Sequence, residues 1–283
     1  MALHRNKRPA PAAFAARFTL PVSGLAIGLR HPTGIEEMLL AEGAIDDEGL
    51  ELTFAERLGR TPDGDAVAWR ELPIADLDAF FLRLHQALIG GLIRTDITCQ
   101  AQGCGSRIDI SFGIDAYLAH HAPKAPDRRR RAWSIASCVD RPNWFTLRIR
   151  DAGEPILFRL PTTADQLAVA GLDKPDAALA RRCIAAEPLP SAVRRTAETA
   201  MEALAPNLAG PLGGCCVECN TPVSIYFDPR RYVMQALRQR AAFIYEDIDF
   251  LAQRYHWSEQ AILALPAARR ASYAQLARHD RSG

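Results

Sequence analysis

The chain has 283 residues, enough for about two domains. Its 34 lysines and arginines nearly balance its 33 aspartates and glutamates, so its net charge of +1 gives no general attraction to nucleic acid or to an anionic membrane. The longest apolar runs are too short to span a bilayer, and we expect no membrane partner. Residues 1–17 lack the continuous apolar stretch of a signal peptide, and we predict a flexible N-terminal arm. Seven cysteines in such a chain indicate a reducing compartment, where clustered thiols bind metal more often than they form disulfides.

The first folded segment is predicted to cover residues 18–121. It opens with a strand that ends in an Arg-x-Pro-Thr motif beginning at Arg30. A helix should follow, because the threonine hydroxyl can cap free backbone amides and the acidic side chains of Glu36 and Glu37 favour the positive end of a helix. Apolar spacing predicts further helical segments at residues 50–58 and 74–93.

A cysteine knuckle, Cys99-x4-Cys104, closes this first half. An alternating apolar stretch follows it and ends in Phe112, which predicts a strand. Five residues later Tyr117 lies on a predicted helix. Residues 122–140 are predicted to be a linker that contains the run of four arginines at 128–131. Such a run is typical either of a solvated linker or of a nucleic-acid patch, and the absence of interleaved aromatic residues favours the linker.

The order of elements then recurs in residues 141–232. A strand at 144–150 leads through a hairpin turn to a second Arg-x-Pro-Thr motif at Arg159, and helices are predicted at 176–186 and 191–204. A loop rich in proline and glycine, residues 206–214, delivers the second knuckle, Cys216-x2-Cys219. The sequence therefore predicts an α+β, mostly helical protein of two pseudo-repeated halves, each with a small strand element and a knuckle.

Four thiols in two knuckles are typical of a closed, tetrahedral zinc site, because ligands spaced by two to four residues place two sulfurs on one ion. We therefore predict a structural Zn²⁺ that joins the two halves in a zinc-ribbon-like site, with Cys99, Cys104, Cys216 and Cys219 as ligands. Cys215 is an alternative to Cys216. A set of reduced cysteines without metal is the other interpretation.

The C-terminal segment, residues 233–283, is predicted to be helical, with Ser258 as the N-cap of a short helix. It carries a compact block of aromatic and basic residues. Such residues are the usual anchors of protein interfaces, although the aromatic rings could also form the core of a closing helical hairpin. The candidate partner-binding residues are Tyr255, Trp257, Arg269, Arg270 and Tyr273.

A four-thiolate site has no open coordination position, and the sequence contains no serine-hydrolase elbow, phosphate-binding glycine loop or His-Glu-x-x-His motif. We therefore expect a protein that is not an enzyme. A metal-dependent enzyme would need an open ligand position. A zinc-ribbon nucleic-acid-binding module, using residues 128–131 and the basic C-terminus, is the alternative function.

Residues 144–276 resemble the baseplate, hub-associated proteins of T-even-type phages, whose relatives belong to contractile tails and contractile injection systems. The resemblance begins at the second Arg-x-Pro-Thr motif with Asp165 and continues through the second knuckle to Asp228. It is most specific in the C-terminal block, which contains Tyr255-His256-Trp257-Ser258, Ile262-Leu263, Leu265, Arg269-Arg270 and Tyr273.

The resemblance implies a structural or assembly protein of a baseplate that binds other tail proteins, such as hub, tube, spike or wedge proteins. It implies no chemistry, and it does not favour nucleic acid as a partner. We expect the protein in the bacterial cytoplasm, with incorporation into an assembled tail or injection particle as a further expectation.

Overall fold

The computed structural model describes residues 14–44, 48–124, 132–141, 143–150, 152–185 and 188–279. The predicted arm up to residue 13 and the arginine run at 128–131 lie outside the described residues. The predicted α+β class is confirmed, since helices occur together with small antiparallel sheets. None of the helices in the described part of the chain is long and apolar enough to cross a membrane.

Short strands and helices follow one another along the chain. The strands are β1 (Ala16–Thr19), β2 (Ala26–Leu29), β3 (Gly59–Arg60), β4 (Leu92–Thr98), β5 (Arg107–Gly113), β6 (Trp133–Ser137), β7 (Trp144–Ile149), β8 (Ala152–Arg159), β9 (Gly210–Cys215) and β10 (Pro222–Phe227). The helices are α1 (Gly34–Glu42), α2 (Glu48–Leu58), α3 (Ile74–Leu88), α4 (Ile114–His120), α5 (Thr163–Val169), α6 (Pro175–Cys183), α7 (Ser191–Leu204), α8 (Pro229–Ala241), α9 (Ile244–Tyr255), α10 (Glu259–Leu263) and α11 (Ala267–His279), and a short 3-10 turn covers Trp69–Glu71.

The chain forms two compact units, each assembled from segments that are distant in the sequence. Of the described residues, unit 1 contains those within 14–19, 25–67 and 231–279, and unit 2 contains those within 20–24 and 68–230. The duplication of residues 18–121 in residues 141–232 is inferred from the sequence, and it stays a prediction.

Unit 1 consists of the antiparallel sheet β1-β2-β3 and the helices that pack in the same unit. Its C-terminal helices α9, α10 and α11 enclose a small apolar cluster of Leu251, Ile262 and Ala274, all fully buried. The guanidinium of Arg238 on α8 donates to the backbone carbonyls of Leu40 and Gly43 at the end of α1. These hydrogen bonds satisfy carbonyls that a helix C-terminus leaves without intrahelical partners.

Unit 2 is built around α3 and the antiparallel sheet β6-β7-β8. The side chains of Phe80, Phe81 and Leu84 on α3 are fully buried. One face of the sheet packs against α7, where Phe158 and Ala200 belong to one apolar cluster. Burial of such apolar surface supplies the main favourable free energy for folding the unit.

Helix α3 ends at Leu88, five residues before the end predicted from apolar spacing. Gly90 adopts a φ of 143°, a conformation that residues with a Cβ atom rarely adopt, and this terminates the helix. The amides of Ile89 and Gly90 both donate to the carbonyl of His85, which closes the last turn. The chain is therefore free to enter β4 at Leu92, in a stretch that the apolar pattern had assigned to the helix.

The first Arg-x-Pro-Thr motif organises a buried carboxylate in unit 1. Glu36, only 1% exposed, accepts hydrogen bonds from the backbone amide and the hydroxyl of Thr33, each at 2.8 Å. It also accepts from Arg30 at 2.7 Å and from Arg57 at 2.8 Å. Burial by itself would raise the pKa of Glu36, but these hydrogen bonds and charges together lower it.

The second motif organises a carboxylate in unit 2 with the same types of partner. Asp165 accepts from the backbone amide of Thr162 at 3.1 Å and from its hydroxyl at 2.9 Å. Arg159 forms a two-pronged ion pair with Asp165, and Arg182 donates to it at 3.0 Å. Both carboxylates therefore join a strand end, a helix start and a second arginine that arrives from a later element.

We predict that Asp165→Asn lowers the free energy of unfolding by about 3 kcal/mol at neutral pH, because it leaves two arginines beside a buried site without their anion. Burial alone would raise the pKa of Asp165, but the hydrogen bonds from Arg159, Thr162 and Arg182 outweigh it and hold the pKa well below its usual value. This contribution to stability is therefore present above about pH 4 and is lost as the pH falls toward the folded-state pKa.

Urea denaturation of the wild type and Asp165→Asn between pH 6 and pH 3 measures this effect. The stability of the wild type should fall more steeply toward pH 3 than that of the variant. Asp173→Asn, at an exposed acidic residue, is the control and should follow the wild type. Parallel curves for the wild type and Asp165→Asn would contradict the assignment.

Candidate metal centre

Each cysteine knuckle lies at the tip of an antiparallel hairpin in unit 2. Strands β4 and β5 form the first hairpin, with Thr98 paired to Arg107 at its tip. Strands β9 and β10 form the second, with Cys215 paired to Pro222 at its tip. The sequence predicted the strand that follows each knuckle but not the strand that precedes it. Residues 206–214 were predicted as a loop because proline and glycine have low strand propensity, yet β9 begins at Gly210 through its pairing with β10.

The same backbone hydrogen bond occurs inside each of the two knuckle loops. The amide of the first cysteine donates to the carbonyl two residues after the second cysteine: Cys99 to Ser106 at 2.8 Å, and Cys216 to Thr221 at 2.9 Å. In the first loop, Gly103 and Gly105 have φ values of 82° and 65°, which other residues rarely adopt. Each loop is thereby folded back so that its two sulfurs face the other hairpin.

The four predicted cysteines lie together. The Sγ atoms of Cys99 and Cys219 are 3.6 Å apart, those of Cys104 and Cys216 are 3.8 Å apart, and all four lie within 4.8 Å of one another. A tetrahedral ion with metal–sulfur bonds of about 2.3 Å has sulfur–sulfur edges of about 3.8 Å. A disulfide would need about 2.05 Å, and all four cysteines are free. The cluster can therefore hold one metal ion with four thiolates.

Hydroxyl groups beside the second cysteine of each knuckle favour the thiolate form. Sγ of Cys104 lies 3.3 Å from the Ser106 hydroxyl, and Sγ of Cys219 lies 3.3 Å from the Thr221 hydroxyl. The hydroxyl and the amide of Thr221 lower the pKa of Cys219 to about 6, and those of Ser106 lower that of Cys104. Neither Ser106 nor Thr221 was predicted from the sequence to be part of the site, although a hydroxyl residue two positions after the second cysteine of each knuckle is a recognisable signal.

The other end of the two hairpins is held by an aromatic cluster. Phe112 of β5 and Phe227 of β10 meet edge to face, with ring centroids 5.2 Å apart, and Tyr117 of α4 packs against both. The Tyr117 hydroxyl donates to the carbonyl of Leu208 at 2.6 Å, and burial raises its pKa to about 12. The hairpins are therefore in contact through rings at one end and through sulfurs at the other.

The remaining cysteines are separate from the cluster. Cys215, the predicted alternative ligand, is exposed on β9, and it is Cys216 that lies among the four sulfurs. Cys183 is buried in the apolar cluster of unit 2, where burial raises its pKa to about 11. Cys138 lies 3.4 Å from the Thr146 hydroxyl. A second group of three or more metal-ligating side chains is not found among the described residues.

The candidate partner-binding residues all lie in unit 1. Tyr255 and Trp257 stack at 4.9 Å, and Tyr273 meets Trp257 edge to face at 5.1 Å. These half-buried rings pack against the apolar cluster of α9, α10 and α11, as in the closing hairpin that the sequence also allowed. Arg269 is exposed, and its role in partner binding stays a prediction.

Arg270 has a different environment from its neighbour. It is only 3% exposed, and its guanidinium pairs with Glu37 and lies 3.6 Å from Asp247. The side chain of Arg270 therefore lies inside unit 1 rather than on its surface. Sequence adjacency to Arg269 gave no sign of this difference, since Glu37 is more than 200 positions away.

Comparison with protein-family models, with curated proteins and with solved structures finds no match to this chain. The resemblance to baseplate proteins therefore stays a prediction that rests on the motif, the knuckle and the C-terminal block of residues 144–276.

We predict that Cys216→Ser abolishes four-thiolate coordination and that Cys215→Ser leaves it intact, because only Cys216 lies in the cluster. Titration of the metal-free protein with Co²⁺ measures this, since thiolate ligation gives intense charge-transfer bands in the near ultraviolet. The two variants change adjacent residues in the same way and so control for each other. Wild-type spectra from both variants, or weak spectra from both, would contradict the ligand set.

Proposed function

We propose that this chain is a structural or assembly protein of a phage-like contractile tail or injection-system baseplate, acting by binding other tail proteins. The observation that carries the proposal is the closed cluster of four cysteines at the tips of two hairpins. Such a cluster favours a structural role, because an ion bound by four thiolates has no open coordination position for a substrate. A role without catalysis is part of the proposal. Its assignment to a tail rests on the resemblance of residues 144–276.

The ion that we assign to the cluster is Zn²⁺. Soft thiolate ligands in a closed tetrahedral arrangement favour zinc over the oxygen-seeking Mg²⁺ and Ca²⁺. The two knuckles are separated by more than 100 residues, so the ion would close a very long loop of chain. Its binding free energy would then contribute directly to the folding of unit 2.

We also infer that the two Arg-x-Pro-Thr motifs and the two knuckles descend from one duplicated segment. Two independent similarities support this inference. Glu36 and Asp165 have the same four kinds of hydrogen-bond partner. Cys99 and Cys216 donate to equivalent carbonyls in their knuckle loops.

The charges of the hairpins argue against the alternative of a nucleic-acid-binding zinc ribbon. Residues 92–113 contain two arginines and two aspartates, and residues 210–227 contain one glutamate as their single charged residue. Arg107 is paired with Asp96 at 2.9 Å, and both side chains are exposed. A net charge of −1 for the two hairpins provides no attraction to phosphate groups.

Removal of the ion tests its structural role. We expect the purified protein to contain about one zinc per chain and chelation to lower its melting temperature by at least about 5 °C, because an ion that binds only the folded state stabilises it. Elemental analysis and differential scanning fluorimetry measure the two quantities. Cys215→Ser should behave like the wild type. A zinc-free protein with an unchanged melting temperature would contradict the structural role.

An affinity purification from the native cell under conditions that express tail genes tests the assembly role. We expect the full chain to recover hub, tube, spike or wedge proteins, identified by mass spectrometry. A bait with Arg269→Glu should recover less of them if the exposed C-terminal arginine contributes to docking. Recovery of the bait alone, or with nucleic acid that washes off in salt, would contradict the proposal.

A further inference from the structure

The four sulfurs of the metal centre differ in their access to solvent. Cys99 and Cys216 are each only 2% exposed, whereas Cys219 is exposed and Cys104 is partly exposed. A peroxide oxidises a thiolate that it can reach, so access decides which sulfur is attacked first. Cys104 and Cys219 are therefore the two entry points for an oxidant.

Each accessible sulfur has a buried sulfur of the other hairpin beside it. Sγ of Cys219 lies 3.6 Å from Sγ of Cys99, and Sγ of Cys104 lies 3.8 Å from Sγ of Cys216. A disulfide has a sulfur–sulfur distance of about 2.05 Å, so each pair needs to close by roughly 1.7 Å. Each pair thus combines a sulfur that an oxidant can reach with a second sulfur placed to form a disulfide with it.

The two hairpins are also in contact away from the sulfurs. The rings of Phe112 and Phe227 meet edge to face, and Tyr117 packs against both of them. The Tyr117 hydroxyl, which donates to the carbonyl of Leu208, fixes this cluster to the chain that leads into β9. Small zinc modules unfold without their ion because nothing else holds them together. In this protein the aromatic cluster holds the hairpins together by a contact that requires no metal.

We propose that these four cysteines are an oxidation site, at which hydrogen peroxide converts them into two disulfides, Cys99–Cys219 and Cys104–Cys216, and the Zn²⁺ is released. Both disulfides join the β4-β5 hairpin to the β9-β10 hairpin. The cross-link between the hairpins is therefore kept in covalent form after the ion has left. A dithiol reductant, which is itself oxidised to a disulfide, restores the thiols and the metal-binding form.

Each disulfide consumes one molecule of hydrogen peroxide in two steps. The thiolate of Cys219 attacks a peroxide oxygen: the S–O bond forms, the O–O bond breaks and hydroxide leaves, so the sulfur loses two electrons and becomes a sulfenic acid. The thiolate of Cys99 then attacks this sulfur: the S–S bond forms, the S–O bond breaks and a second hydroxide leaves. Cys104 and Cys216 react with a second peroxide molecule in the same way. The ion dissociates because metal ligation requires the thiolate form of cysteine.

The inference rests on the zinc assignment of the proposed function and not on the assignment to a tail. A purified chain that binds no zinc would contradict both the metal centre and the oxidation site. A zinc-loaded chain that forms other disulfides would contradict the oxidation site alone. Recovery of no tail proteins would leave both unaffected.

A disulfide map of the wild type is the first test. The zinc-loaded full chain is treated with two equivalents of hydrogen peroxide, remaining thiols are blocked with iodoacetamide, and a non-reduced digest is analysed by mass spectrometry. Cleavage after Glu218 separates Cys216 from Cys219, and fragment ions of the first knuckle distinguish Cys99 from Cys104. We expect the two inter-hairpin disulfides, with zinc released in proportion to their formation.

Disulfides within the knuckles, the crossed pairs Cys99–Cys216 and Cys104–Cys219, or sulfinic acids without disulfides would overturn the proposal. Cys215→Ser is the matched control, because Cys215 is the exposed neighbour of Cys216 and lies outside the cluster. This variant should give the same disulfides and the same zinc release. A disulfide to Cys215 in the wild type would also overturn the pairing.

Melting temperature distinguishes exchange of the ion for disulfides from simple loss of the ion. The oxidised chain should melt within about 3 °C of the zinc-loaded chain, because its disulfides link positions 120 and 112 residues apart and so restrict the unfolded chain. The reduced chain after chelation should melt at least about 5 °C lower. An oxidised chain that melts like the chelated one would overturn the retained cross-link.

Cys99→Ser tests which sulfur is oxidised first. It leaves Cys219 without its buried partner, so the sulfenic acid should accumulate there. Dimedone, which reacts with sulfenic acids, should label Cys219 at least about tenfold more in this variant than in the wild type. Equal labelling in the two proteins would overturn the order of the steps, and the disulfide map of the wild type tests the pairing independently of this variant.

Discussion

Four sulfur atoms that lie close together at the tips of two hairpins constrain how these hairpins pack in unit 2. As thiolates they would repel one another across less than 4.8 Å, and as thiols they would be held together only by weak S–H contacts. A single divalent cation would resolve both difficulties, because it would offset half of the charge of four thiolates and fix the separation of the sulfurs. The hydroxyls of Ser106 and Thr221 prepare the site by favouring the thiolate form of the cysteines beside them.

The rest of unit 2 positions this cluster. The hairpins meet a second time through Phe112 and Phe227, so their relative orientation depends on two contacts at opposite ends. The carboxylate of Asp165 ties the end of β8 to the start of α5 and to Arg182 at the end of α6. The proposed assembly role is consistent with such a structure, because a preformed surface lowers the ordering cost of binding another protein.

Local contacts are repeated between the two units. The same strand-to-helix motif caps a carboxylate in each unit and presents a proline carbonyl to the start of a second helix. Backbone pairing of this kind depends on conformation more than on side chains, which is why α3 and α11 can accept it with different residues around them.

The sequence by itself determined the local features of this protein. The spacing of Cys99, Cys104, Cys216 and Cys219 predicted the knuckles, alternation predicted the strands after them, and the threonines of the two motifs predicted helix starts, because each of these signals lies within a few neighbouring residues. Tertiary structure decided what distant residues do together. It placed Cys216 rather than Cys215 beside Cys104 in the cluster, and it buried Arg270 against Glu37. These outcomes depend on contacts between distant segments, which are more than 200 residues apart in the case of Arg270 and Glu37. No local pattern specifies which segments meet.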